Sequence, residues 1–264
     1  MKIILDKNKL VKFIQSQRNL GFVPTMGAIH QGHSSLIKKS LKQNDKTIVT
    51  IFINKPQFNK ESDFKKYPRV LKKDIFILKK LGVDCLYLPT VNQIYPYGIN
   101  KNIKISSFSK KLCGRFRPGH FKAVVDVVDR FIKIIKPKKI YLGEKDMQQL
   151  QIIYHFVKKN NIKVKIVGCR TVREKNGIPY SSRNFLLSSK EKNTSSKIYT
   201  FLLNKKKLLI KNRSKLNQIK KKILKFGATK VDYIEIIDIN KIIKPFKKKN
   251  KYKIFIAYYL GNVR

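Results

Sequence analysis

A strand that runs through a proline into a glycine turn, and from there straight into a helix, leaves a chain few ways to fold. Residues 23–33 read Val-Pro-Thr-Met-Gly-Ala-Ile-His-Gln-Gly-His: the end of a buried strand, a tight turn at Gly27, and the first turn of a helix continuing through Ser34-Ser35-Leu36-Ile37. Gly27 permits backbone dihedrals that strain other residues, and Gly32 lets a ligand approach the backbone closely. His30 and His33 are three apart, which on a helical turn points both rings the same way. The free N–H groups and the positive end of the helix dipole at that turn favour an anion. Two imidazoles over such a site suit a triphosphate attacked at phosphorus, where negative charge grows on the non-bridging oxygens. The plainer alternative is two surface histidines near a helix start.

The surrounding pattern agrees with an α/β class. From Gly21 to about Gly168, short apolar runs at 21–24, 47–53, 84–88, 139–143 and 163–167 alternate with helical patterns at 33–42, 70–81, 121–136 and 147–159. Such alternation predicts a parallel sheet with crossover helices. The helix at 121–136 stops before Pro137, which cannot continue it. The chemistry-bearing stretches fall just after the carboxyl ends of strands, where open α/β sheets bind ligands. Past about Arg170 the character changes. A loop at 171–183 with Gly177 and Pro179 leads into lysine-rich helical patterns at 190–210 and 215–226, then a strand pair at 231–238 and 253–259. The expected division is a larger domain at 1–171 and a smaller α+β domain at 172–264, with the loop as a hinge. The lysine runs 205–207, 220–222 and 247–249 read as solvated faces, and no internal repeat is present.

A net charge of +46 invites a nucleic-acid hypothesis, but only 10 of the 61 basic residues are Arg, the better reader of phosphates and base edges. The lysines are dispersed, and they accompany abundant Ile and Asn, as AT-rich coding would produce. A lysine coat without a specific nucleic-acid partner is therefore expected, together with weak, salt-sensitive adhesion to polyanions. No apolar run reaches the roughly 18 residues of a membrane span, and Asp6 comes too early for a secretory leader. Cys85, Cys113 and Cys169 are far apart and fit neither a disulfide framework nor a zinc site, so a cytoplasmic location is expected.

Further stretches carry polar groups in suggestive places. Asn54 and Gln57 end a β-rich run and can hydrogen-bond a small polar acid, or satisfy their own turn. Tyr67-Pro68-Arg69 opens a helix carrying Asp74, most simply an N-terminal proline and a surface acid. Arg117 and His120 flank a Pro-Gly turn, where an Arg fork pairs with a carboxylate or phosphate, unless the turn's charge is incidental. Gly143-Glu144-Lys145-Asp146 follows a strand, with Gln148 and Gln149 in the next helical turn. It suits a ribose and phosphates, or a salt-bridged helix cap. Tyr180-Ser181-Ser182-Arg183 reads as a phosphate clamp or a serine-rich helix cap.

His30-Gln31-Gly32-His33 resembles the signature of the nucleotidyltransferase superfamily, and the whole ordered set resembles the pantoate–β-alanine ligase family nearly end to end. That resemblance implies a Rossmann-like nucleotidyltransferase domain with a smaller C-terminal α+β lid domain, in a cytoplasmic homodimer. It implies ATP-dependent, Mg2+-assisted joining of (R)-pantoate to β-alanine through a pantoyl adenylate, with AMP and pyrophosphate released. By position, Met26, Gly27, Ala28, Ile29, His30, Gln31, Gly32 and His33 would line the ATP site, His33 as catalytic acid and His30 holding phosphates. Gly143, Glu144, Lys145, Asp146 and Val172 would contact the nucleoside. Lys145, Tyr180, Ser181, Ser182 and Arg183 would belong to the triphosphate end, with Lys145 and Arg183 aiding catalysis. Gln57, Gln149 and Asn54 would hold pantoate or β-alanine, with Arg117 and His120 at the same acid-substrate end. No metal ligand follows; Asp74 is a candidate only through bridging water.

Three departures from the family pattern bear on packing and rate. Asn54-Lys55-Pro56-Gln57-Phe58 shifts the proline of the usual Asn-Pro-x-Gln-Phe. Cys113 stands for a usual Glu. Lys122-Ala123-Val124-Val125-Asp126 replaces Arg-Gly-Val-x-Thr, placing a methyl and a charge where the family packs closely.

Overall fold

A computed structural model describes residues 1–212, 215–238 and 252–264. In order, the chain lays down β1 (Lys2–Ile4), α1 (Lys7–Ile14), β2 (Leu20–Thr25), α2 (Gln31–Gln43), β3 (Lys46–Ile51), α3 (Glu61–Lys66), α4 (Leu71–Lys80) and β4 (Cys85–Tyr87). Two short helices, α5 (Val91–Ile94) and α6 (Cys113–Phe116), precede the long α7 (His120–Ile135), then β5 (Lys139–Gly143), α8 (Met147–Lys159) and β6 (Lys165–Cys169). These elements belong to a first compact unit, Met1–Val172 with Tyr180–Ser182.

Its six strands form one sheet in the order β1-β4-β3-β2-β5-β6, with every pair parallel. From β2 the chain winds outward through β3 and β4, then returns to the other side of β2 with β5 and β6. The winding reverses between β2 and β5, the place where open α/β sheets form a binding crevice. Register makes that crevice concrete. β2 pairs with β5 only at Gly21↔Lys139 and Phe22↔Ile140, whereas it stays paired with β3 to Thr25↔Ile51. Pro24 sits at the split. The Leu20 carbonyl accepts from Lys138 N on the β5 side, and the Thr25 carbonyl accepts from Phe52 N on the β3 side. Strand alternation therefore turns residue 24 toward β5, where no ladder bond is left to make. A proline is tolerated in this central strand for that reason.

The strands are apolar on both faces, as a helix-covered parallel sheet requires. On one face Val23, Val49 and Leu86 pack with Leu36 and Ile37 of α2 and Leu78 of α4. On the other, Phe22 and Phe52 meet Phe131 of α7, ring centroids 5.5 and 6.0 Å apart. Adjacent Phe22 and Val23 thus serve opposite cores, the period-two rule of a strand.

The sequence pattern misses β1 and α1, a three-residue edge strand and an eight-residue helix whose Asp6 cap accepts from Lys9 N at 2.8 Å. It also places the last strand of the sheet two residues early. Residues 162–164 form a turn, and pairing with β5 carries β6 through Gly168 to Cys169.

A second unit comprises Arg173–Pro179 and Arg183–Arg264. It contains α9 (Ser189–Lys211), α10 (Leu216–Lys225), β7 (Lys230–Asp238) and β8 (Tyr252–Tyr259), the two strands antiparallel. Ser188 and Glu191 form a capping box at the start of α9. Ile198, Leu202, Ile219, Ile223, Val231 and Ile234 supply its core. Lysines 205–207 and 220–222 are exposed on the opposite helix faces; the run 247–249 lies outside the described residues.

Candidate active site

Past Thr25 the backbone turns left-handed twice, at Gly27 (φ 81°) and Ala28 (φ 51°). Alanine is uncommon in that region, and Asp74 in the first turn of α4 accounts for it. Its two carboxylate oxygens accept from Ala28 N at 2.8 Å and Ile29 N at 2.7 Å. At 1% exposure Asp74 is no surface acid, and both oxygens accept from backbone, which corrects the sequence reading. Burial raises its pKa, with the two amides acting in the opposite direction. From the far side, Ser182 Oγ donates to the Ala28 carbonyl at 3.2 Å. Ser182 is buried and holds the turn.

The amides at 28 and 29, ahead of the helix, are therefore taken by Asp74. At the start of α2, His33 N bonds to His30 Nδ1 at 3.4 Å and Ser34 N to the His30 carbonyl at 2.9 Å. The amides of Gln31 and Gly32 are left at the positive end of the dipole. His30 is the extended N-cap of α2 (φ −135°, ψ 175°), one residue outside the helix. Its ring nevertheless stacks on that of His33, centroids 4.0 Å apart and 21° from parallel, with Tyr180 stacked further out at 6.2 Å. Gly32 is required by this stack: a Cβ there would lie 2.8 Å from His30 Cε1. The close approach read from the sequence is made by the chain's own imidazole.

Burial, then the charge of Lys145, lowers the His30 pKa to about 4. Burial, His30 and Lys145 lower that of His33 well below its usual value. At neutral pH both rings are uncharged, so they offer N–H donation rather than an imidazolium proton. His33 Nδ1 is buried and has no hydrogen-bond partner among the described residues. An unmade bond of that kind is costly.

A second cluster gathers at the end of β3. Asn54 is 1% exposed and fully engaged: its Oδ1 accepts from Tyr95 OH at 2.7 Å, and its Nδ2 donates to Gln57 Oε1 at 3.1 Å and the Ala123 carbonyl at 3.2 Å. It is a scaffold for Gln57. The shifted Pro56 lies within a short 3-10 turn, Lys55–Gln57, so the spacing from Asn54 to Gln57 survives. Arg117 and His120 both reach the Gln57 carbonyl, at 3.2 and 2.7 Å, and Gln57 Nε2 approaches Met26 Sδ at 3.1 Å. Met26, Gln57, Arg117 and His120 are thus brought together beside the histidine turn. Asp126, the charge at a position where the family packs closely, is 3% exposed but paired with Arg130 Nε at 2.6 Å and capped by Asn100 N at 2.9 Å. The i,i+4 spacing of that pair was a readable signal; nothing in the sequence marked Tyr95.

At the end of β5, Gly143 has no atom within 4 Å of where a Cβ would stand, so its face is open. Lys145 pairs loosely with Asp146 at 3.6 Å, while Glu144 is half-buried. Gln148 is buried and structural: it binds the Phe108 and Lys111 carbonyls and receives Cys113 N, which fixes the backbone where the family's Glu is lost. The side chain of half-buried Gln149 makes no hydrogen bond with the described residues. The Val172 carbonyl accepts from Tyr180 N at 3.1 Å, which returns residues 180–182 to the first unit. Ser181 is half-buried, and Arg183 begins the long segment of the second unit. Among the described residues no three His, Cys, Asp or Glu gather to hold a metal.

A parallel sheet with a switch point, and stacked histidines where a helix begins at that point, make a Rossmann-like α/β fold whose histidine pair resembles the nucleotidyltransferase signature. Comparison with known proteins narrows the class. The family model for pantoate-beta-alanine ligase matches residues 2–264, and the chain belongs to that family. It is 36% identical to the pantothenate synthetase of Thermotoga petrophila, covering 100% of this chain and 97% of that one. Against the enzyme of the same name from Flavobacterium psychrophilum it is 40% identical, covering 99% and 97%. The crystal structure of the pantoate-beta-alanine ligase from Francisella tularensis, complexed with beta-gamma ATP and beta-alanine, superposes with a TM-score of 0.83 at 38% identity, covering 100% and 95%. Pantothenate synthetase from Thermus thermophilus gives 0.89 at 29% identity, covering 99% and 96%.

Proposed function

We propose that this chain joins pantoate to β-alanine with the cleavage of ATP, by way of an enzyme-held pantoyl adenylate. The observation that carries the proposal is the neutral His30–His33 stack at the β2/β5 split, in a chain that matches the ligase family over its whole length. In the first step a pantoate carboxylate oxygen bonds to the α-phosphorus as the bond to pyrophosphate breaks. Imidazole N–H groups and the Lys145 ammonium then stabilise charge growing on the phosphoryl oxygens and the leaving group. In the second step the β-alanine amine attacks the acyl carbon and AMP leaves with the bonding electrons. Gln57 and Gln149 orient the carboxylate, with Arg117 and His120 holding Gln57 through its carbonyl. Gly143 leaves room for the nucleoside, and Met26, Ser181 and Val172 border the same crevice. Arg183 is assigned to the phosphates by its place in the family motif alone.

Holding two reactants in line is worth at most about 7–11 kcal/mol of barrier. Among the described residues no three His, Cys, Asp or Glu gather as metal ligands; Mg2+ in this reading travels on the ATP phosphates. A cytoplasmic homodimer belongs to the same reading. The test is AMP formation in the presence of pantoate and β-alanine together. Wild type should need both acids, and His33→Ala should fall about 10²–10³-fold in kcat, the usual cost of one oxyanion donor. Pyrophosphate exchange into ATP without pantoate would overturn the proposal.

A further inference from the structure

One buried hydroxyl outside the stretches singled out in the sequence reaches Asn54, the scaffold of the acid subsite. Tyr95, just past α5, is 7% exposed, and its OH donates to Asn54 Oδ1 at 2.7 Å. Its ring lies against Phe52, with centroids 6.2 Å apart, and under the Arg130 guanidinium at 4.5 Å. That guanidinium is fixed in turn by Asp126 and by the carbonyls of Ile94 (2.7 Å) and Gly98 (2.9 Å). Burial and the nearby Asp126 charge push the phenol pKa up, so the hydroxyl keeps its proton.

The amide orientations follow from what each neighbour can do. The Ala123 carbonyl only accepts, so Asn54 must turn Nδ2 toward it, and Oδ1 falls to the phenol. Asn54 Nδ2 then also donates to Gln57 Oε1, which leaves Gln57 Nε2 on the other side. There its neighbour is the Met26 thioether at 3.1 Å, a weak acceptor that a better one can displace. We infer that Tyr95 is a positioning residue: the Ala123 carbonyl sets which way the Asn54 amide faces, and the Tyr95 hydroxyl holds that amide in place, so that Gln57 shows an N–H donor to a substrate carboxylate or hydroxyl oxygen. The opposite orientation would turn a carbonyl oxygen toward the same carboxylate and repel it. This inference rests on the functional reading above.

Tyr95→Phe removes the hydroxyl and keeps the ring in its packing. In the full chain the variant should raise the pantoate KM about tenfold, leave the ATP KM within about twofold, and unfold cooperatively at a modestly lower urea midpoint, because Asn54 Oδ1 loses its buried donor. Placed on a Gln57→Ala background, the same change should leave the pantoate KM within about twofold, because the group it acts through is gone. An unchanged pantoate KM in Tyr95→Phe, or equal rises for both substrates, overturns the inference. So does a penalty that persists without Gln57. Wild-type protein with no pantoate-dependent turnover would overturn the functional reading and this inference together.

Discussion

Two imidazoles stacked 4.0 Å apart cannot both carry a charge in a buried crevice beside a lysine. The folded chain therefore binds fewer protons there than the unfolded chain does. His30 titrates near 4 when folded and near 6.5 when not, so its contribution to stability is complete above pH 6.5. It declines as the pH falls, and levels off below the folded value, where both states are protonated. The loss from His30 alone amounts to about 3 kcal/mol at pH 4, and His33 acts in the same direction. Urea unfolding at pH 7, 5.5 and 4.5 should show a falling midpoint, and His30→Asn should flatten much of the dependence. Conversely, protonation of this pair should not shape the rate between pH 6.5 and 8.

Among the elements, α4 does more than cover the sheet, since Asp74 holds the turn that aims α2. Asp74→Ala would leave the Ala28 and Ile29 amides without their partner. At about 1–3 kcal/mol for each orphaned buried donor, a loss of about 3 kcal/mol is expected in chemical unfolding, with ATP affinity falling as the histidine turn loosens. Asp74→Asn should recover part of both by accepting one of the two amides. The sequence alone shows why some of this is legible and some is not. Long apolar periodicities place α2, α7 and α8 and the central strands, because burial dictates those patterns. β1 is too short to have a period. His30 and His33 are read together from their spacing, although His30 proves to stand outside the helix. Asp74 is invisible as a clamp because its partners are backbone amides 45 and 46 residues away. Asn54 and Ser182 sit at the right places, but their engagement with the chain itself depends on contacts that no local pattern encodes.

For the molecule as a whole, charge and site are separate matters. The +46 net charge resides mainly in dispersed lysines, and the helix faces carrying lysines 205–207 and 220–222 are exposed. Adhesion to polyanions should accordingly be electrostatic and nonspecific, with retention on heparin lost by about 0.5 M NaCl. His33→Ala should elute at the same salt as wild type. A retained, salt-resistant complex would instead mean a shaped nucleic-acid surface.

The parting of β2 from β5 after two paired positions has a consequence for how the site stays available. Neighbouring strands with intact donors tend to zip, and a sheet that zipped here would close the channel that the proposed reaction needs. Proline at 24 forbids the next rung from that side. The channel is propped ajar by a single hydrogen atom that the backbone does not have.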